Sequence, residues 1–225
     1  MKYKKISVLA LAMFIAAPGV STAANLETHE QKYSYALGYR LADSLKAEGL
    51  IVDPEQFSRA IQDSMSGKDP AMTADAMQAA LEAERERQLA EVKKIADKNA
   101  ADGDAFRAEN AKKSGVKQLD SGIQYRVITA GSGAQASKDS TVTVNYRGTL
   151  TSGQEFDSSY ARNQPATFGL SGVIKGWQEV VPMMKEGDKW EVVIPPEMAY
   201  ADKGAGDVIG PNETLIFEID LVEVK

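Results

Sequence analysis

The residues that could do chemistry lie between Val144 and Ala201, where the chain reads VNYRGTL, EFDSSYARNQPATF, VIKGWQEVV and IPPEMAYA. These segments are dense in aromatic and branched side chains and poor in groups that do covalent or acid–base work. Cysteine is absent from the chain and its single histidine, His29, lies far upstream. No Ser-His-Asp or Cys-His pair can therefore be assembled here, and no pair of histidines exists to hold a metal. Glu155 and Asp157 are expected to face opposite ways from their extended segment, which argues against a paired-carboxylate glycosidase. The glycines at 131 and 133, and at 204 and 206, lack the strand, helix and lysine of a phosphate loop and read as turns. What remains is a reaction that an apolar cleft with a few hydrogen bonds can accelerate without metal or cofactor. Rotation about a prolyl peptide bond is such a reaction: its barrier is about 18–20 kcal/mol, and unaided it takes tens of seconds.

Strands have to bring those residues together. After Gly115 the apolar period is two, and Ile123–Val127, Val142–Tyr146, Trp190–Ile194 and Leu215–Val224 read as strands. Turns fall at Gly131-Ser132-Gly133, Ser152-Gly153 and Gly210-Pro211-Asn212, and Val173–Val181 is compatible with one short helix. The segment is thus an antiparallel sheet with a helix on one face, an α+β arrangement, with Trp190 assigned to its core. Upstream the period is helical. Leu37, Leu41 and Leu45 recur every four residues between Glu30 and Gly49, beside Tyr35 and Tyr39. Asp53-Pro54 has the form of an N-cap followed by proline at the first helical position, and Phe57, Ile61 and Met65 repeat the spacing. Two helices this short leave their apolar stripes uncovered. They predict a partner surface, most simply the same helices of a second subunit; the alternative is a hairpin packed on its own C-terminal domain. Thr73 to about Lys112 is rich in Ala, Glu, Lys, Arg and Gln with no proline, which predicts one helix of roughly 60 Å. It reads as a solvated spacer, with Gly103 as its flexible point.

The ordered set Val144-Asn145-Tyr146, Glu155-Phe156-Asp157-Ser158-Ser159, Val173-Ile174-Lys175-Gly176-Trp177, Pro195 to Tyr200 and Leu215-Ile216-Phe217 resembles an FKBP-type peptidyl-prolyl cis/trans isomerase domain spanning Ser121–Lys225. With the helices before it, nearly the whole chain is similar to the macrophage infectivity potentiator group of bacterial FKBPs, the Mip/FkpA-like proteins. The resemblance implies that Tyr146, Phe156, Phe168, Val173, Ile174, Trp177, Ile209 and Phe217 line a proline pocket with Trp177 as its floor. It also implies that the Ile174 N–H donates to the substrate carbonyl beyond proline and that the Tyr200 hydroxyl bonds another. Asp157 would face the twisted carbonyl with Arg162 as its partner, or the two would form an ion pair that only positions their loop. Twisting the imide breaks its conjugation and lowers its polarity, so a dry aromatic pocket favours the twisted form and no proton need move. The implied protein is a periplasmic homodimeric isomerase that is also a folding chaperone for unfolded, proline-containing clients, with a pocket able to take macrolide inhibitors. The alternative is a holdase that docks proline segments and isomerises them incidentally. Four features depart from the usual pattern: Ala166 stands where an aromatic is common, the tract before Val173 is short, Ala201 follows Tyr200 where glycine is usual, and the flap from Ala201 to Gly210 carries Asp202, Lys203 and Asp207. They bear on residue preference before proline and on inhibitor affinity.

Composition agrees with this organisation. The chain has 225 residues, 43% hydrophobic and 26% charged, which suits two small domains. Met1–Lys5 is basic, Ile6–Ala17 is apolar and Ser21-Thr22-Ala23-Ala24 is small, the layout of a secretory signal peptide cleaved near residue 24. The apolar run is under the roughly 20 residues that span a bilayer. Losing Lys2, Lys4 and Lys5 leaves 23 basic against 32 acidic residues, a net charge of −9. Nucleic acid and anionic membrane are poor partners for so acidic a chain. The expected division is a signal peptide over 1–24, a helical dimerisation domain over 25–70, a linker helix over 71–114 and the FKBP-type domain over 115–225. The product would be periplasmic, with outer-membrane association or release as further destinations.

Overall fold

The computed structural model describes residues 26–225, so the predicted signal peptide lies outside the described residues. The chain divides into two compact units, Met1–Met72 and Thr73–Lys225.

In the first unit the Asp53 cap anticipated from sequence is in place, and α1 carries one that was not. Thr28 and Gln31 form a reciprocal capping box at the start of α1 (His29–Ala47), and the helix ends before Gly49 at φ +72°. The Asp53 carboxylate accepts the N–H groups of Glu55 and Gln56 at 2.9 and 3.0 Å and opens α2 (Pro54–Met65). Neither helix contains a buried residue. A groove between them is lined by Tyr39, Leu45, Leu50, Val52, Phe57 and Ile61, while Leu37 and Leu41 remain 57% and 43% exposed and Met65 86%.

The second unit opens with α3 (Ala74–Asn110), capped by the Thr73 hydroxyl. Its first half is almost wholly exposed, and from Ala96 onward one face turns inward through Asn99, Ala100, Gly103, Arg107 and Asn110. Gly103 was expected to be a flexible point and is instead a packing position. It is buried in an unbroken helix, and a Cβ there would lie 2.4 Å from the Thr214 hydroxyl. The missing side chain lets the helix backbone approach the loop that carries Thr214.

Seven strands form one antiparallel sheet: β1 (Lys117–Gln118), β2 (Gln124–Thr129), β3 (Thr141–Leu150), β4 (Glu155–Ser158), β5 (Ala166–Gly169), β6 (Lys189–Ile194) and β7 (Leu215–Val224). The order is β1-β2-β6-β7-β3-β4, with β5 pairing the outer side of β3 beyond β4. In β3 the buried positions alternate as Val142, Val144, Tyr146, Gly148 and Leu150, and in β7 as Leu215, Phe217, Ile219 and Leu221. That inner face is covered by the short helix α4 (Lys175–Val180), flanked by single 3-10 turns at Leu170–Gly172 and Val181–Met183. Ile123, Leu170, Val180, Val181, Met184, Val192 and Ile194 complete the core. Trp190 belongs to it as expected, stacked on Tyr125 with ring centroids 4.7 Å apart.

Candidate active site

The depth of α4 on the sheet fixes the floor of the site. A Cβ on Gly176 would lie 2.6 Å from Ile194 Cγ2, so only glycine lets this helix settle at its present height. The next residue, Trp177, is 4% exposed, and its indole N–H has no partner among the described residues. Three rings meet it edge to face: Tyr146 at 5.5 Å and 89°, Phe168 at 5.8 Å and 84°, and Phe217 at 5.3 Å and 81°. Aromatic pairs favour this geometry, and here it builds upright walls round a flat floor. Phe156 extends the wall by meeting Phe217 at 5.5 Å and 86°. It fits because Gly148, across the β3–β4 pair, has no side chain; a Cβ there would lie 2.5 Å from the Phe156 ring.

One polar cluster interrupts this surface. The Tyr146 hydroxyl donates to Asp157 Oδ2, while Arg162 donates through Nη1 to Asp157 Oδ1 and through Nη2 to the Tyr146 oxygen at 2.8 Å. Partial burial pushes the Asp157 carboxyl up, but the bonds from Tyr146 and Arg162 outweigh it and hold the group below its ordinary value. Burial, reinforced by Asp157, pushes the Tyr146 phenol above its ordinary value. Asp157 is therefore an anion whose two oxygens are already engaged. Ser159, fully buried, holds the strands in register behind this cluster: its hydroxyl accepts the Tyr146 N–H at 2.8 Å and its own N–H donates to the Tyr146 carbonyl at 2.9 Å. Glu155 faces away from the cleft, though not by simple alternation, which puts residues two apart on one face: the register shift between Gly148 and Thr149 turns it outward to pair with Arg147 at 2.8 Å.

The rim comes from two loops. Val173 and Ile174 lead into α4; the Val173 carbonyl is held by the Gln178 side chain at 2.7 Å, and the Ile174 N–H has no acceptor among the described residues. Opposite stand Ala199 and Tyr200, which follow β6. The resulting cleft, of about 410 Å³, brings together nine of the residues anticipated from sequence: Tyr146, Phe156, Asp157, Phe168, Val173, Ile174, Trp177, Tyr200 and Phe217. Two others stand apart from its lining. Arg162 lies behind the cleft and meets it through Asp157 and Tyr146, and Ile209 packs against the core cluster from the Ala201–Gly210 flap. Gly172 and Ala199 line the cleft without having been singled out, since neither has a side chain that signals a site. Among the described residues no cluster of His, Cys, Asp and Glu could hold a metal.

The cleft of this sheet-and-helix unit is therefore aromatic, carries one engaged carboxylate and has no Ser, Cys, His or Lys in its lining. The model of the FKBP-type peptidyl-prolyl cis-trans isomerases matches residues 132–222, and that of the domain amino-terminal to such isomerases matches residues 30–127. The chain is 41% identical to the outer membrane protein MIP of Legionella longbeachae, over all of this chain and 98% of that one. It is also 41% identical to the FKBP-type 22 kDa peptidyl-prolyl cis-trans isomerase of Escherichia coli, over 90% of this chain and 99% of that one. The crystal structure of FkpA from Escherichia coli superposes with a TM-score of 0.64 at 37% identity, covering 89% of this chain and 98% of its own. The chain belongs to the FKBP-type peptidyl-prolyl cis-trans isomerases, in their Mip/FkpA-like group, and is an isomerase of that type.

Proposed function

We propose that the protein is a periplasmic folding catalyst: a homodimer whose cleft isomerises prolyl bonds and whose helical unit handles unfolded clients. The observation that carries the catalytic part is the Trp177 floor walled by perpendicular aromatic rings. A proline ring seated there leaves bulk water, and the surrounding apolar faces favour the less polar, twisted imide over the planar one. The catalytic set is Tyr146, Phe156, Asp157, Trp177, Tyr200 and Phe217, with Phe168, Val173 and Ile174 binding substrate. The Ile174 N–H, without an acceptor among the described residues, suits a substrate carbonyl, and the Tyr200 hydroxyl at the rim suits a second. Arg162 orients the Asp157 carboxylate and the Tyr146 hydroxyl and Ile209 backs the flap, so both act on substrate through neighbours. The same pocket would accept a macrolide inhibitor.

The dimer is supported by α1 and α2, whose stripes of Leu37, Leu41, Ile61 and Met65 are exposed and which contain no buried residue. Monomers seldom leave such faces bare. Export is supported by the basic, apolar and small-residue order of the first 24 residues and by the relative named as an outer membrane protein. No helix among the described residues is long and apolar enough to cross a membrane. The holdase reading differs in one respect: it makes isomerisation incidental to holding. Two measurements on the same variants separate them. If Trp177→Leu abolishes prolyl tetrapeptide isomerisation and also slows refolding of a proline-limited protein, the cleft is the working part; if refolding is unaffected, holding by the helices is.

A further inference from the structure

The last three turns of α3 lie against the loop that returns from the cleft, and their contacts are polar and specific. Asn99 donates to the Pro211 carbonyl at 2.9 Å, and Arg107 donates to the Thr214 hydroxyl. Gly103 sits directly over Thr214, which is fully buried. The Arg107 carbonyl and the Asn110 side chain also bind Gln124 of β2, each at 2.9 Å, so this end of the helix is fastened to the sheet as well. The anchored loop leads back to the cleft. The Asn212 N–H donates to the Ala201 carbonyl at 2.8 Å, tying the Pro211–Thr214 leg to the residue after Tyr200. Ala201 and Asn212 both adopt positive φ, at 50° and 56°, conformations that non-glycine residues hold only when neighbours fix them.

The geometry points to Asn99 and Arg107 as positioning residues for the isomerase site: through Pro211, Thr214 and Asn212 they set where Ala201, and with it the Tyr200 side chain at the rim, stands. The inference rests on the cleft being the site of isomerisation. It makes the end of the long helix part of the catalytic unit, and its effect runs through one loop to one rim residue. A helix face built of Ala96, Asn99, Ala100 and Gly103 buries little apolar surface and adds little to the core. What it supplies is a pair of donors, Asn99 and Arg107, fixed on the loop that carries Pro211 and Thr214.

The test uses the full chain and a prolyl tetrapeptide. Wild type must isomerise the peptide; an inactive wild type would refute the assignment of the cleft itself and is distinguishable from everything that follows. Asn99→Ala and Thr214→Val each remove one anchor, and each is expected to lower kcat/KM by roughly three- to tenfold, the scale of one lost hydrogen bond. Thr214→Ser, which keeps the hydroxyl, is expected to recover at least half of the loss. In a Tyr200→Ala background the Asn99→Ala change is expected to have no further effect, because the residue it positions is gone. Wild-type kcat/KM in folded Asn99→Ala would overturn the inference. So would an equal fold-loss in the Tyr200→Ala background, since that would show the anchors acting on stability alone. Asn99 is only partly buried, so this variant folds even if Thr214→Val does not.

Discussion

Replacing Gly176 by alanine tests whether the height of α4, rather than the mere presence of its residues, makes the site. The new Cβ would stand 2.6 and 2.7 Å from Ile194 Cγ2 and Cδ1, where carbon atoms prefer about 3.5–4.0 Å. The helix must therefore rise by roughly 1 Å, and Trp177, the next residue, rises with it. Overpacking of this kind costs about 1–3 kcal/mol, and alanine in place of glycine within a helix returns about 1 kcal/mol. The net cost of about 0–2 kcal/mol is small beside a typical stability of about 5–15 kcal/mol, so the variant folds with its thermal midpoint lowered by a few degrees. Catalysis is more sensitive, because a displacement of about 1 Å at a reacting centre can cost up to about a hundredfold. The expected result is a fall in kcat/KM of roughly ten- to a hundredfold in a protease-coupled tetrapeptide assay. Ile194→Ala removes both opposing carbons at about 2–5 kcal/mol of stability. In that background Gly176→Ala should change activity by less than about twofold, since its Cβ enters space already vacated. An equal loss of activity in both backgrounds would refute the geometric argument, as would an unimpaired single variant.

Four further outcomes follow from the same geometry. Asp157 is held below its ordinary value by Tyr146 and Arg162 against the effect of burial, and Tyr146 is raised; neither titrates between about pH 5 and 9, so a pH–rate profile is expected to be flat there. A depressed carboxyl contributes stability that is complete above its unfolded value of about 3.9 and is lost as pH falls through the folded value; Asp157→Asn should remove that acid-side slope in urea titrations, by under about 1 kcal/mol because the pair is half exposed. Leu41→Glu with Ile61→Glu should give a monomer by sedimentation that keeps the tetrapeptide rate but refolds a large proline-limited protein poorly, having lost the second arm's effective concentration; a double variant that still sediments as a dimer excludes this interface. A fragment of residues 114–225 contains the nine cleft residues and should isomerise the peptide, but several-fold more slowly than one of residues 93–225, which retains Asn99, Gly103 and Arg107; equal rates would separate the helix end from the site.

The cleft was legible in the sequence because its residues stand on strands whose alternation is clear and in motifs whose order is specific. Tyr146, Phe156, Phe168, Trp177 and Phe217 follow from Val142–Tyr146, Leu215–Val224 and the segments between. The strands β1, β4 and β5 were not named as such, being two to four residues long, too short for a period of two to register. The docking face of α3 was hidden for a different reason. It consists of Ala96, Asn99, Ala100, Gly103, Arg107 and Asn110, so it carries no apolar stripe, and glycine in a helix reads as weakness unless the partner that needs the space is known. Asp53-Pro54 and Thr73 marked their helix starts correctly because a cap is a local property of the chain. Gly148 and Gly176 lie within quoted motifs, yet the side chains they make room for, Phe156 and Ile194, come from other strands.

The sulfur chemistry of this chain has a consequence for its behaviour under oxidation. With no cysteine, it has neither a thiol for peroxide to attack nor a disulfide for a reductant to open, so the redox state of its surroundings reaches it only through methionine. Met184 is sealed in the core, whereas Met65 is among the most exposed apolar side chains of the molecule and lies on the apolar stripe of α2. Conversion of that thioether to a sulfoxide makes a flexible apolar group polar. In the dimer proposed above, oxidative damage should thus appear first as weakened association of the helical unit, while the aromatic cleft continues to turn over small peptides.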